Sequence, residues 1–358
     1  MHFYNGSVLG TIMVPGGAGP GTVVATGVVP HPSGALEAIT YPIVSGGSSY
    51  EYEPDTHRLD TASSWDAGGP LQDLDLGYDL AGNLTTVADA LGELTQAFTY
   101  DPLHRLATAT GSGGPLSYGD LAYSYDAAGN ILTKGPVGAP LTLLYGGGNA
   151  GPHGVTAVSS SETGSFSYDA DGQVSYRTRS GQQDLSLGWD DDGRLTHVNV
   201  VLDYVYDESG QRSRKKNLSG TADTLYVDPE YEVDLVNAKH QVHYFHGSRR
   251  VATENRSGLG LPGNPGSHLS WQVYFPDFVG SNAVVARDDG AVEKSYFRPF
   301  GEFAQQGGGM TPYLFTDQEH DPETNLQYFG ARYYDPWIGR FLSHDPALVG
   351  SFEGATFG

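Results

Sequence analysis

A seven-residue motif returns along this chain at a spacing too short for any unit containing a crossover helix, and this limits the fold more than any other feature. Tyr78-Asp79-Leu80-Ala81-Gly82-Asn83-Leu84 is followed by Tyr100-Asp101-Pro102-Leu103-His104-Arg105-Leu106, where His104 replaces the glycine. Further copies begin at Tyr125-Asp126 with Gly129, Tyr168-Asp169 with Gly172, Trp189-Asp190 with Gly193, and Tyr206-Asp207 with Gly210. The six aspartates lie 22, 25, 43, 21 and 17 residues apart. The longest gap holds a worn copy at Tyr145-Gly146-Gly147-Gly148-Asn149, and Tyr52-Glu53-Pro54-Asp55-Thr56-His57-Arg58-Leu59 reads as an earlier copy with one extra residue. A fixed period of this kind marks a repeat array, in which each unit buries itself against its neighbours.

About twenty residues fit two strands and two turns. The aspartate suits a turn because its carboxylate accepts backbone N–H bonds across it, and the glycine suits a position with positive φ. The tyrosine offers a flat apolar body with a polar tip, fit to stack on its equivalent in the next unit. Leu121-Ala122-Tyr123-Ser124-Tyr125 and His197-Val198-Asn199-Val200 alternate as half-buried strands do. The expectation is an all-β chain of tandem hairpins joined into one long antiparallel sheet, with almost no helix. The 50 glycines and 23 tyrosines against 3 methionines agree with short strands and tight turns. Gly111–Pro115, Gly146–Pro152 and Gly258–Ser267 read as turns or long loops, and Gly16–Gly21 punctuates a less regular start.

The formal charge of −23 disfavours nucleic acid and anionic membranes as partners and is most simply a solubility device. Without cysteine there is no disulfide, thiol chemistry or Cys-ligated metal. No apolar run reaches the roughly 18 residues of a membrane span. Met1-His2-Phe3-Tyr4-Asn5 lacks the basic-then-apolar pattern of a signal peptide. The setting is therefore left open among cytoplasm, export by another route, and a piece of something longer.

The run from Asp317 to Pro346, which includes Gln327-Tyr328-Phe329-Gly330-Ala331-Arg332-Tyr333-Tyr334-Asp335-Pro336 and Gly339-Arg340-Phe341-Leu342-Ser343-His344-Asp345-Pro346, resembles the RHS-repeat-associated core. Tyr296-Phe297-Arg298-Pro299-Phe300-Gly301 resembles the segment that precedes that core. The family is the RHS/YD-repeat proteins, which includes polymorphic bacterial toxins, the C components of insecticidal Tc complexes and the teneurins. The resemblance implies a sheet strip spiralling into a partial shell, and a secreted or cell-surface setting. It divides the chain into an irregular β segment (1–50), the repeats (51–270), the core (271–350) and a tail (351–358). In bacterial relatives the shell encloses a C-terminal toxin, and the core cleaves the chain downstream with aspartates. One of these falls on Asp345; the second would fall near Phe357, which is not a carboxylate. Self-cleavage by this chain is therefore not expected, and the expected partners are further repeats or another shell chain, a toxin payload, or a cell-surface glycan.

The remaining candidates read as structure. Asp335 and Asp345 could form an aspartyl pair, but Arg332 and Arg340 nearby are expected to bind those carboxylates and order the core, with Tyr333, Tyr334, Pro336, Gly339, Phe341 and Pro346 completing it. His240, His243 and His246, three apart, put neighbours on opposite faces of a strand and so disfavour a shared metal. Asp190-Asp191-Asp192 lacks the alternating ligands of a calcium loop. Trp65, Trp189, Trp271 and Trp337 are too dispersed for a carbohydrate groove. No phosphate-binding or nucleophile motif is present, and no cofactor is expected. Three functions follow: a non-enzymatic shell segment, a self-cleaving aspartyl core using Asp345, and a carbohydrate or receptor-binding module.

Overall fold

The structure, a computed structural model, describes residues 11–13, 22–260 and 266–345. The regularity of the repeats is carried into a single 26-stranded sheet running from Ile12–Met13 to Val292–Lys294. Each strand pairs antiparallel with the strands just before and after it, as in the series Leu59–Asp66, Gly69–Tyr78, Leu84–Asp89 and Leu94–Tyr100. A small hairpin, Tyr296–Phe297 with Phe303–Gln305, and a four-stranded sheet from Glu319 to Phe341 follow. Helix among the described residues is limited to four three-residue 3-10 turns.

The motif forms the same turn in every full copy. The Asp79 amide donates to the Asn83 carbonyl and the Gly82 amide to the Asp79 carbonyl. The Asp79 carboxylate accepts from the amides of Ala81 and Asn83, both at 2.9 Å. Asp101, Asp169, Asp190 and Asp207 accept in the same way from the residues two and four ahead, and Asp126 from Asn130. The fourth residue must be left-handed: Gly82 has φ +91°, and His104 adopts φ +60° at the same position.

The tyrosines do not stack on one another from unit to unit, contrary to the sequence reading. Each hydroxyl instead reaches back to the backbone carbonyl of the residue that opens the preceding unit's outgoing strand. Tyr78 donates to Leu59, Tyr100 to Leu84, Tyr125 to Leu106, Tyr145 to Ile131, Tyr168 to Val155 and Tyr206 to Leu195, all at 2.7–2.8 Å. Trp189 keeps the contact through its indole N–H, to Val174 at 2.7 Å. The rings are covered by cations: Arg58 lies over Tyr78, Arg105 over Tyr125 and Arg194 over Tyr206. Opposite each tyrosine the outgoing strand carries one extra residue, a bulge that breaks the regular register beside the ring.

That bulge also changes which residues face inward. In a regular strand the first and fourth residues point to opposite faces. Here the outgoing strand spends one residue on the bulge, and the fourth residue is buried in every unit: Ala62, Val87, Ala109, Lys134, Val158, Arg177, Val198 and Lys215.

The inner face is covered along its length by later parts of the chain. Val24, Ile39 and Tyr41 pack with Val251, Val273, Phe275 and Val284, so the first strands meet the last ones. Leu74, Val87, Phe98 and Tyr123 pack with Phe278 and Phe300. Leu143, Phe166, Leu187 and Tyr204 pack with Leu326, Tyr333, Trp337 and Leu342.

Candidate functional site: the buried junction of repeats and C-terminal core

The repeats supply cations to this junction and the C-terminal segment supplies acids. Arg177 donates to the Asp335 carboxylate at 2.8 Å and to the Thr324 carbonyl at 3.3 Å, with both ionic side chains almost fully buried. Lys134 pairs with Glu302 at 3.0 Å and donates to the carbonyls of Pro336 and Trp337. Burial pushes its ammonium below the ordinary lysine range, against the pull of Glu302. Arg212 binds Glu319 and Asp321 and donates to the hydroxyls of Tyr226 and Tyr333. Lys215 pairs with Asp321 at 2.7 Å and with Glu323 at 3.0 Å. Burial alone would raise the Asp321 carboxyl; Lys215 and Arg212 outweigh it and hold it low. Such a junction contributes specificity more than net stability, because desolvation offsets much of the Coulomb gain while one lost partner leaves a bare buried charge.

A further cluster lies on the neighbouring strands. Arg250 pairs with Asp317 at 3.1 Å and sits over the Tyr313 ring, while Tyr313 donates to Glu232. His243 stands 3.1 Å from Glu232 and contacts Thr253 through Nδ1 at 2.8 Å. Burial, reinforced by Arg250, lowers its imidazole below the usual histidine range.

Apolar packing seats the segment between these charges. Trp337 is fully buried, stacks on Phe166 and lies beneath Arg179. It rests on Gly164, where a Cβ would come within 2.5 Å of the indole, so only glycine admits it. The backbone joins too, the Val174 amide donating to the Leu342 carbonyl at 2.9 Å.

The core residues singled out from sequence take separate places. Asp335 is buried and accepts the Trp337 amide at 3.0 Å, closing a turn over Pro336 with Gly339 donating back to its carbonyl. Its ionic partner is Arg177, not Arg332 or Arg340 as the sequence suggested, because the turn points the carboxylate toward the repeats. Arg332 instead pairs with Asp345 at 3.0 Å and lies over Phe341. Arg340 donates to Asn130 at 2.9 Å and covers Tyr145. Tyr334 donates to the Phe300 carbonyl at 2.9 Å. Asp335 and Asp345 therefore have different partners, and Asp345 is partly exposed. Pro346, the tail and Phe357 lie outside the described residues.

His240 and His243 are both buried but have different partners, Gly258 and Thr253. Among the described residues no group of three or more histidines or acids is placed to hold a metal ion. Asp190 and Asp192 are engaged by Arg194. Trp65 is exposed, whereas Trp271 and Trp337 are core residues. No helix among the described residues is long and apolar enough to cross a membrane.

Sequence reading missed Lys134, Arg177, Arg212 and Lys215. A signal was available for three of them: the fourth residue of each outgoing strand is otherwise Ala or Val, so a cation there has to meet an acid inside; Arg212 instead opens its strand, where the other units carry Leu, Ile or Val. It also missed a motif turn without tyrosine. Asp277 donates its amide to the Ser281 carbonyl and Gly280 to the Asp277 carbonyl, with Pro276 in the tyrosine position.

Residues 78–115 match the RHS Repeat family. The fold is shared with the TcdB2-TccC3-Cdc42 crystal structure, at a TM-score of 0.75 and 20% identity over 94% of this chain and 19% of that one. Residues 78–115 thus carry an RHS repeat, within a chain that shares the fold of that structure. The same fold is found in the Photorhabdus luminescens Tc holotoxin pore, at a TM-score of 0.71 and 19% identity over 92% of this chain and 18% of that one. By sequence, the chain is 26% identical over 200 residues to the tRNA3(Ser)-specific nuclease WapA of Bacillus spizizenii, covering 51% of this chain and 8% of WapA. It is 32% identical over 87 residues to the toxin subunit YenC1 of Yersinia entomophaga, covering 22% of this chain and 9% of YenC1. The chain thus spans under a tenth of these curated relatives and under a fifth of the solved ones.

Proposed function

We propose that this chain is a non-catalytic segment of an RHS shell, in which the repeats (51–270) form the wall and the core (271–350) closes it from within. In a longer or multi-chain assembly it would enclose or present a C-terminal toxin, with further repeats or another shell chain as its partner. The observation that carries this reading is the buried junction. Lys134, Arg177, Arg212 and Lys215 hold Glu302, Asp335, Glu319 and Asp321 against the wall, which fixes a plug in place. Asp345 is tied to Arg332 and stands apart from Asp335, which supports a structural role for it.

Intact-mass measurement of the purified chain tests this. The scaffold reading expects 38.1 kDa for the wild type and the same integrity for Asp345→Asn after prolonged incubation. A shortened wild-type chain alongside an intact Asp345→Asn chain would establish the self-cleaving core instead.

A further inference from the structure

A half-open cavity of about 370 Å³ lies between the inner face of the repeats and the hairpin that leads into the core. Its wall is mostly apolar and aromatic, including Leu74, Leu84, Phe98, Phe278, Phe297 and Phe315. Arg298 also lines it. Among the described residues, Arg298 is the one arginine whose side chain has no hydrogen-bond, ion-pair or ring partner; even Arg249, which pairs with no acid among the described residues, binds the Tyr50 hydroxyl. Its Nε is buried and unpartnered.

The turn explains how this cation was freed. Arg298 occupies the position held by aspartate in the repeat motif: its amide donates to the Glu302 carbonyl and Gly301 donates back to it. The capping carboxylate is therefore gone, and the longer side chain has nothing to bind within the turn. Glu302 is already engaged by Lys134. The two acids on the cavity wall are occupied as well: Asp89 by the amides of Leu91 and Gly92 and by the Tyr296 hydroxyl, and Asp277 by the amides of Val279 and Ser281. The Nε of this half-buried guanidinium is buried without an acceptor beside apolar walls, which is costly unless something supplies one.

We infer that this cavity is a binding site for an amphipathic carboxylate, with its apolar chain against the aromatic wall and its carboxylate on Arg298. The volume falls in the range of small-molecule sites, and a planar guanidinium matches a carboxylate in two-point fashion. This site is independent of the shell role.

Dodecanoate and dodecanol, titrated calorimetrically into the full chain, form the test. Dodecanoate should bind the wild type at least about tenfold more tightly than dodecanol, the ratio expected when one charge-assisted contact is lost. Arg298→Gln should weaken dodecanoate by about the same factor and leave dodecanol unchanged, while Arg298→Lys keeps most of the dodecanoate affinity. No dodecanoate binding to the wild type, or equal affinity for both ligands, overturns the inference without reference to any variant. Dodecanoate binding that survives Arg298→Gln overturns it equally.

Discussion

Replacing Asp335 by Asn removes one charge from the junction and almost nothing else. The asparagine carbonyl can still accept the Trp337 amide, so the turn over Pro336 is retained. Arg177 is then left with the Thr324 carbonyl at 3.3 Å and no counter-charge, in a site where both side chains are at most 2% exposed. Breaking a buried pair from one side costs about 3–5 kcal/mol. At 1.4 kcal/mol per factor of ten, the core should open roughly 100- to 3000-fold more often. Native-state hydrogen exchange read by mass spectrometry resolves this locally. Peptides within 326–342 should lose protection by that factor, while peptides within 84–112, which share no partner with Arg177, stay within about twofold. Adding Arg177→Met should restore most of the protection, since an apolar side chain of similar length needs no partner. A change under tenfold in the core, or an equal loss across the repeats, would refute the claim that this pair fastens the core to the wall.

Other consequences follow from the repeats and the cavity rim. Tyr100→Phe deletes only the hydroxyl that reaches Leu84, and should lower stability by about 1 kcal/mol in urea unfolding with an unchanged m-value. Gly129→Ala meets no neighbouring atom within 4 Å but has φ +86°, so a loss of about 1–2 kcal/mol in the same assay would come from the backbone alone. Burial lifts the Asp277 carboxyl to about 6, so its ionised form opposes folding: the native state is favoured below the unfolded value near 4, and that advantage is lost as pH rises through 6. Asp277→Asn should therefore stabilise the chain at pH 7.5, by on the order of 1–2 kcal/mol because the residue still touches solvent, and the gain should vanish at pH 4.

The sequence alone determined the repeat and the local geometry of its turns. Asp79 caps the amides two and four residues ahead, and Gly82 takes the left-handed position, because both effects act within five residues. It determined the order of strands as well, since units this short can pair only with their neighbours. What it could not show is where the motif tyrosines point. Beside a one-residue bulge, each ring makes a hydroxyl-to-carbonyl link between units in place of the expected stack. The same bulge brought the fourth residue of each strand inward, so Lys134, Arg177 and Lys215, which strict alternation would put on the face opposite the strand's first residue, lie buried. Their partners are about 106 to 168 residues away, and only the folding of the strip around its own C-terminal segment brings Arg177 to Asp335 rather than leaving that carboxylate to Arg332. Local hydrogen bonding is written in neighbouring residues; the pairing of distant buried charges is decided by the curvature that makes them meet.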